Sequence, residues 1–385
     1  MELSRRIKSL PRYLFAELDR KKQALRQQGR ELIDLSIGDP DLPTPQGIID
    51  KMSEEIRDPR NHRYPDYEGL LEFREAVASW YWRRFGVSLD PSTEVMALIG
   101  SKEGIAHLPL AFVDPGDYVF VPDPGYPVYR ASTILSGGIP YTLPLREERG
   151  FLPDLRDVPS EVAARAKVLF LNYPNNPTGA TATREFFREA VAFAREYDLI
   201  VCHDAAYSEL YFESPPPSFL SVEGAKDVGV EFHSLSKTFR MTGWRIGFVV
   251  GNAAVLSGLG RVKTNVDSGV FNAIQRTSIW VLQGNMDGEV EGWRQELRRR
   301  RDVMVEGLRS LGFKVEPPKA TFYLWLKVPE GYTSRDFAER LLEAGVVVTP
   351  GVGFGEWGEG YVRMALTVTE GQLREALRRL REVKL

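Results

Sequence analysis

The strongest constraint on the fold is a rhythm of short apolar segments that repeats between residues 94 and 250. Strand patterns at 94–99, 118–121, 168–171, 199–202 and 246–250 alternate with helical patterns such as 105–112 and Arg184–Tyr197. Apolar runs with no polar alternation suit strands buried on both faces, and the helical segments between them cover those faces. The expected fold class is α/β, with a mostly parallel, doubly wound sheet.

In such a sheet the strand ends converge on one edge, where open α/β sheets bind ligands. Each strand pattern here runs into a polar stretch. GSKEG sets Ser101 and Lys102 at a helix start, where free backbone N–H groups and the positive dipole end favour a phosphate. This stretch matches neither of the common glycine-rich phosphate fingerprints. PDPGYPVY holds Tyr126 between Gly125 and Pro127, able to stack on a flat ring or to fill the core. NYPNNPTG exposes Asn176 in a turn, and the strand pattern 199–202 runs into Asp204, with Tyr207 three residues on.

The stretch EFHSLSKTFRMTGWRIGFVVG, residues 231–251, then breaks its strand pattern at Ser234, Leu235, Ser236 and Lys237 and resumes it after Arg245. Lysine is mostly an exposed residue, so one set between apolar segments needs a partner or a task. A desolvated lysine near other cations gives up its proton readily and forms Schiff bases with carbonyl cofactors. Together these residue types suit pyridoxal 5'-phosphate. Its aldehyde needs the lysine, its ring nitrogen a carboxylate, its O3' an amide or phenol, and its phosphate the serines, Arg245 and a helix start.

On NNPTG, DAAY and SLSKTFRMTGWR, in that order and spacing, the chain resembles the class I aminotransferases of the fold-type I pyridoxal-phosphate superfamily from about residue 30 onward. The resemblance implies that Lys237 carries the cofactor and that Asp204 pairs with its ring nitrogen. It implies Asn176 and Tyr207 at O3', Tyr126 on the ring, and Ser101, Lys102, Ser234, Ser236 and Arg245 at the phosphate. Tyr64 would reach that phosphate from the second subunit of a homodimer. Arg363, in YVRMALT, would grip the substrate α-carboxylate, with Gly38 of GDPDLPTP closing on the same group.

A narrower likeness rests on PRYLFAELDRKK, GSKEGIAHL, DPGYPVY and KTNVDSGVF, which resemble LL-diaminopimelate aminotransferases. That subgroup implies amino transfer between LL-diaminopimelate and 2-oxoglutarate, with Tyr13 and Lys102 also at the substrate. Aspartate, alanine, aromatic or succinylated substrates, and a C–S lyase chemistry, are the alternatives the same motifs allow.

The length of 385 residues exceeds the roughly 250–300 at which single cores stop growing, so two domains are expected. The expected division is a large cofactor domain at 46–280 and a small α+β domain built from 1–45 and 281–385. The N-terminal part reads as a helix at 11–28 followed by a strand at 31–37. The C-terminal part reads as a long charged helix, strands at 313–315 and 321–327, and a last helix from Thr369. Its run Arg298 to Arg301 reads as a solvated helix face. A net charge of −3 argues against a nucleic-acid surface, and one cysteine with four scattered histidines argues against a metal site. With no apolar run of about 18 residues and no signal-peptide pattern, a cytoplasmic protein is expected.

Overall fold

The computed structural model describes residues 1–11 and 14–383; the side chains of residues 14–18 are outside that description, as is Tyr13. A short strand, β1 (Ile33–Asp34), precedes the main sheet. That sheet has seven strands: β2 (Val95–Leu98), β3 (Tyr118–Asp123), β4 (Ile139–Pro144), β5 (Ala166–Asn172), β6 (Ile200–Asp204), β7 (Gly229–Ser234) and β8 (Gly247–Gly251). Their order is β2-β8-β7-β6-β5-β3-β4. Neighbours from β4 to β7 are parallel, and β8 pairs antiparallel with both β7 and β2. The expected mostly parallel sheet is therefore present with one reversed strand.

Alternate residues of each strand enter the two layers of the main core, one on each face of the sheet, as the period of two requires. Leu169 and Leu171 face the layer built with Phe73, Val77, Phe187 and Val191, while Val168 and Phe170 face the one built with Ile105, Leu108 and Leu259. On the first side, Glu231 of β7 is wholly buried and accepts bonds from Tyr81, His203, His233, Ser218 and the Phe219 N–H. Burial pushes this carboxyl up, yet the bonds from His203 and His233 hold it well below the usual range. These contacts tie β6 to β7 behind their C-terminal ends.

A second core gathers residues from both ends of the chain. Strands β9 (Tyr323–Lys327), β10 (Val346–Val347), β11 (Thr349–Pro350) and β12 (Tyr361–Ala365) lie with the helices Asp287–Ser310, Ser334–Glu343 and Glu370–Glu382. β1 joins them by parallel pairing with β10, which carries the N-terminal segment to this core. Strand order β11-β12-β9 is antiparallel throughout. No helix of the described residues is long and apolar enough to cross a membrane.

Three expectations are corrected here. Residues 313–315 form no strand, because Phe313 N–H and Gly312 N–H close the end of the preceding helix onto Leu308 O and Arg309 O. The strand expected at 31–37 is only Ile33–Asp34, since the Asp34 carboxylate takes the Ser36 N–H at 3.0 Å and turns the chain out of the ladder. Only half of the arginine run is the expected solvated face: Arg298 and Arg299 are exposed, and the two residues after them are not. Arg300 and Arg301 are 2% and 7% exposed, on the helix side that also carries Leu297, Met304 and Leu308. Arg300 donates to Asp41 at 2.7 and 3.0 Å, to Glu296 at 2.8 Å and to Leu366 O at 3.1 Å.

Removing one partner of a buried ion pair strands the other, so Arg300→Ala is expected to lose roughly 2–4 kcal/mol of stability. Arg299→Ala, at a side chain 60% exposed, should stay within about 0.5 kcal/mol. Thermal melts of the two variants beside the parent protein check this; equal midpoints would contradict the buried role of Arg300.

Candidate active site

Strand β7 delivers the central lysine. Its last residue, Ser234, caps a short helix, Leu235–Thr238, by accepting the Ser236 N–H, and this turn points Lys237 along the C-terminal edge of the sheet. The Lys237 ammonium donates to the Gly38 carbonyl at 2.9 Å. Among the described residues no carboxylate lies within ion-pair distance of it. Loss of solvent lowers its pKa to about 8; Asp39 works against that shift, while Arg245 and Arg363 add to it. Gly38 has no room for a side chain, since a Cβ there would lie 1.9 Å from the Tyr323 hydroxyl.

Asp204 ends β6 and is 5% exposed. Tyr129 O–H donates to its Oδ2 at 2.8 Å and the Ala206 N–H to its Oδ1 at 3.2 Å. Burial still pushes the carboxyl up, because these two bonds offset only part of the lost hydration. Asn172, at the end of β5, donates to Asp204 O at 2.8 Å and accepts the Asn176 N–H at 2.9 Å. It thereby fixes both neighbouring strand ends.

Arg363 of β12 reaches the same space from the second core. Its guanidinium donates to Asn176 Oδ1 at 2.8 Å and to Ser36 O at 2.7 Å. It lies 4.3 Å from the Tyr323 ring centre and 4.7 Å from that of Phe354. Tyr323 O–H also meets the Tyr207 hydroxyl at 3.0 Å. Phe354 is set by the loop around it: the Gly125 N–H bonds to its carbonyl at 2.8 Å, and the Asp123 carboxylate accepts the N–H groups of Glu356 and Trp357.

At the other side, Gly100 precedes the helix Ser101–Phe112 with a φ of 72°. A Cβ at Gly100 would meet the Arg245 guanidinium at 2.2 Å, and one at Gly247 would lie 2.8 Å from Ser101 N. Two missing side chains thus leave the Ser101 N–H and Arg245 open to a small anion. Lys102 Nζ sits 5.6 Å over the Tyr126 ring.

A cavity of about 440 Å³ brings these groups together. Gly38, Ser101, Lys102, Tyr126, Asn176, Asp204, Tyr207, Ser234, Ser236, Lys237, Arg245 and Arg363 all line it. Tyr64 does not; it is 89% exposed. Sequence reasoning missed Tyr129, Asn172, Tyr323 and Phe354. Asn172 and Tyr129 stood inside the motifs NYPNNPTG and DPGYPVY, whereas Tyr323 lies in an apolar strand with no distinguishing mark. The grouping of Glu103, His107 and Asp267 elsewhere already holds a cation of the chain itself, Lys263, at 3.2 and 3.0 Å from its carboxylates.

A family model described as aminotransferase class I and II matches residues 30–380. The LL-diaminopimelate aminotransferase of Moorella thermoacetica is 56% identical, covering 100% of this chain and 98% of its own length. That of Aquifex aeolicus is 57% identical, with both chains covered completely. Among solved structures, a probable N-succinyldiaminopimelate aminotransferase from Thermus thermophilus superposes with a TM-score of 0.91 at 40% identity, covering 96% of this chain and 100% of the other.

A lysine with a pKa near 8 predicts a labelling profile. In the cofactor-free protein the Lys237 amine is mostly neutral above that pH and mostly protonated below it. Its acylation rate, read by peptide mass spectrometry, should rise to half its plateau near pH 8. Asp39→Asn removes the charge that favours the ammonium form and should move the midpoint lower; a midpoint near 10.5 in both proteins would contradict the assignment.

Proposed function

Since the chain belongs to the class I and II aminotransferase family and is a transaminase, we propose that it uses pyridoxal 5'-phosphate to move an amino group between LL-diaminopimelate and 2-oxoglutarate. The observation that carries this reading is the meeting of Lys237, Asp204 and Arg363 in one cavity. The full-length likeness to LL-diaminopimelate aminotransferases supports the choice of substrate.

The residues fit that cofactor. An amine that is half neutral near pH 8 suits the aldehyde, and a buried carboxyl pushed up by lost hydration suits a protonated ring nitrogen. Ser101, Lys102, Ser234, Ser236 and Arg245 would hold the phosphate, Asn176 and Tyr207 the O3' oxygen, and Tyr126 the ring face. Tyr64 would complete the phosphate site from the second subunit of a homodimer, and Gly38 would close on the substrate with Arg363. Tyr13 and Lys102 are further substrate contacts in this reading. The bodies 46–280 and 1–45 with 281–385 would act as two domains about the cavity, in a cytoplasmic enzyme.

When bound, the cofactor supplies an electron sink for the charge left at the substrate Cα. Lys237 Nζ would accept the Cα proton and deliver it to the cofactor's C4' within the same half-reaction, a task matched by a pKa near the working pH. Asp204 keeps its negative charge by gaining a cationic partner, which offsets the burial that otherwise raises its pKa. Arg363 trades its bonds to Asn176 and Ser36 for two parallel bonds to the α-carboxylate, and the rings of Tyr323 and Phe354 hold its plane.

A half-reaction screen tests the reading. Single amino acids are added to the purified holoprotein while the cofactor absorbance is followed. LL-diaminopimelate should react far faster than aspartate, alanine and phenylalanine; equal or better reaction of those three would overturn the substrate choice. Arg363→Lys, which keeps the charge but loses one of two bonds, should lower kcat/KM roughly 10- to 100-fold for every amino donor. Lys237→Ala should lower transamination on the order of 10³-fold or more, and near-normal turnover in either variant would refute its role.

A further inference from the structure

The cavity carries more charge than chemistry at one carbon requires. Helix Leu14–Gln27 contributes Asp19 and Lys22 to its wall. Lys22 is 4% exposed, and its ammonium is held between Asp34 Oδ2 at 3.0 Å and Asp19 Oδ1 at 2.6 Å. The inner end of this row is anchored, because Asp34 Oδ1 accepts the Ser36 N–H at 3.0 Å and the Ser36 hydroxyl at 2.5 Å on the segment leading to Gly38. Its outer end is open: the Asp19 side chain is 66% exposed. The Arg26 guanidinium lies 3.9 Å from Asp34 and gives that carboxylate a second cation, whereas among the described residues the Lys22 ammonium is the one cation within ion-pair distance of the exposed Asp19.

Lys102 presents the opposite sign to the same cavity. Among the described residues no carboxylate lies within ion-pair distance of it. A wall of this kind discriminates, since a site built for charged groups rejects ligands that leave them unpaired. Alanine or phenylalanine would engage neither charge, and aspartate or glutamate would engage only the cation. A substrate whose far end is itself an amino acid, with an ammonium and a carboxylate, engages both.

Resting on the substrate reading above, we propose that Asp19 is a specificity-determining residue that takes the distal ammonium group of a diamino dicarboxylic acid. Lys22 and Asp34 act through it by fixing its place. The dependence on the distal amine, rather than on chain length or the distal carboxylate, is the distinctive claim.

The test compares two donors of equal length in the holoenzyme, LL-diaminopimelate and L-2-aminopimelate, which lacks only the distal amine. In Asp19→Asn the ratio of their kcat/KM values should fall roughly 10- to 100-fold, chiefly through KM for LL-diaminopimelate. Asp19→Glu, which restores the charge, should recover part of the preference. An equal loss on both donors, or an unchanged ratio, overturns the role of Asp19 while leaving the substrate reading intact. Parent enzyme that turns over L-2-aminopimelate or glutamate but not LL-diaminopimelate overturns the substrate reading and the inference together.

Discussion

The bond from the Lys237 ammonium to the Gly38 carbonyl is the interaction on which the arrangement turns. It joins the end of β7, in the main sheet, to the segment that follows β1, in the second core. A lysine kept from water without a carboxylate partner prefers to be neutral, which is why its pKa falls instead of the chain unfolding around it. Gly38 can approach only because it lacks a side chain where the Tyr323 hydroxyl stands. That closeness depends in turn on β1 pairing with β10 and on β9 presenting Tyr323.

Around this bond the polar groups are oriented chiefly by one another. Asp204 is fixed by Tyr129, its backbone by Asn172, and Asn172 also sets Asn176, which accepts from Arg363. A run of satisfied buried bonds holds its members in single rotamers, so a ligand meets groups that need little reordering. The carboxylate and the guanidinium are thereby kept from pairing with each other. Their separation leaves one charge for each end of a bound molecule.

Much of this was legible in the sequence because it is local. The helix Arg184–Tyr197 has the bounds its pattern predicts, with Thr183 capping its first turn, and the apolar runs of β5 and β6 fall where expected. The residues after those strands could be grouped because parallel strands end on one edge. Contacts across long sequence separations were not legible. Tyr207 and Tyr323 are 116 positions apart, and Tyr129 and Asp204 are 75 apart, so neither pairing leaves a mark on its neighbours. The burial of Arg300 escaped notice for a related reason: its partner Asp41 lies in a loop whose path depends on the second core. The expectation for Tyr13 falls outside the described residues, and Tyr64 stands exposed in the single chain.

The central claim is that one amine of this chain carries the cofactor. Borohydride reduction of the holoprotein, followed by proteolysis and mass mapping, fixes the attachment point directly. The account predicts a single modified peptide containing SLSKTFR, with the added mass on Lys237. A label on another lysine, or an unmodified Lys237 in protein that has taken up the cofactor, would contradict it.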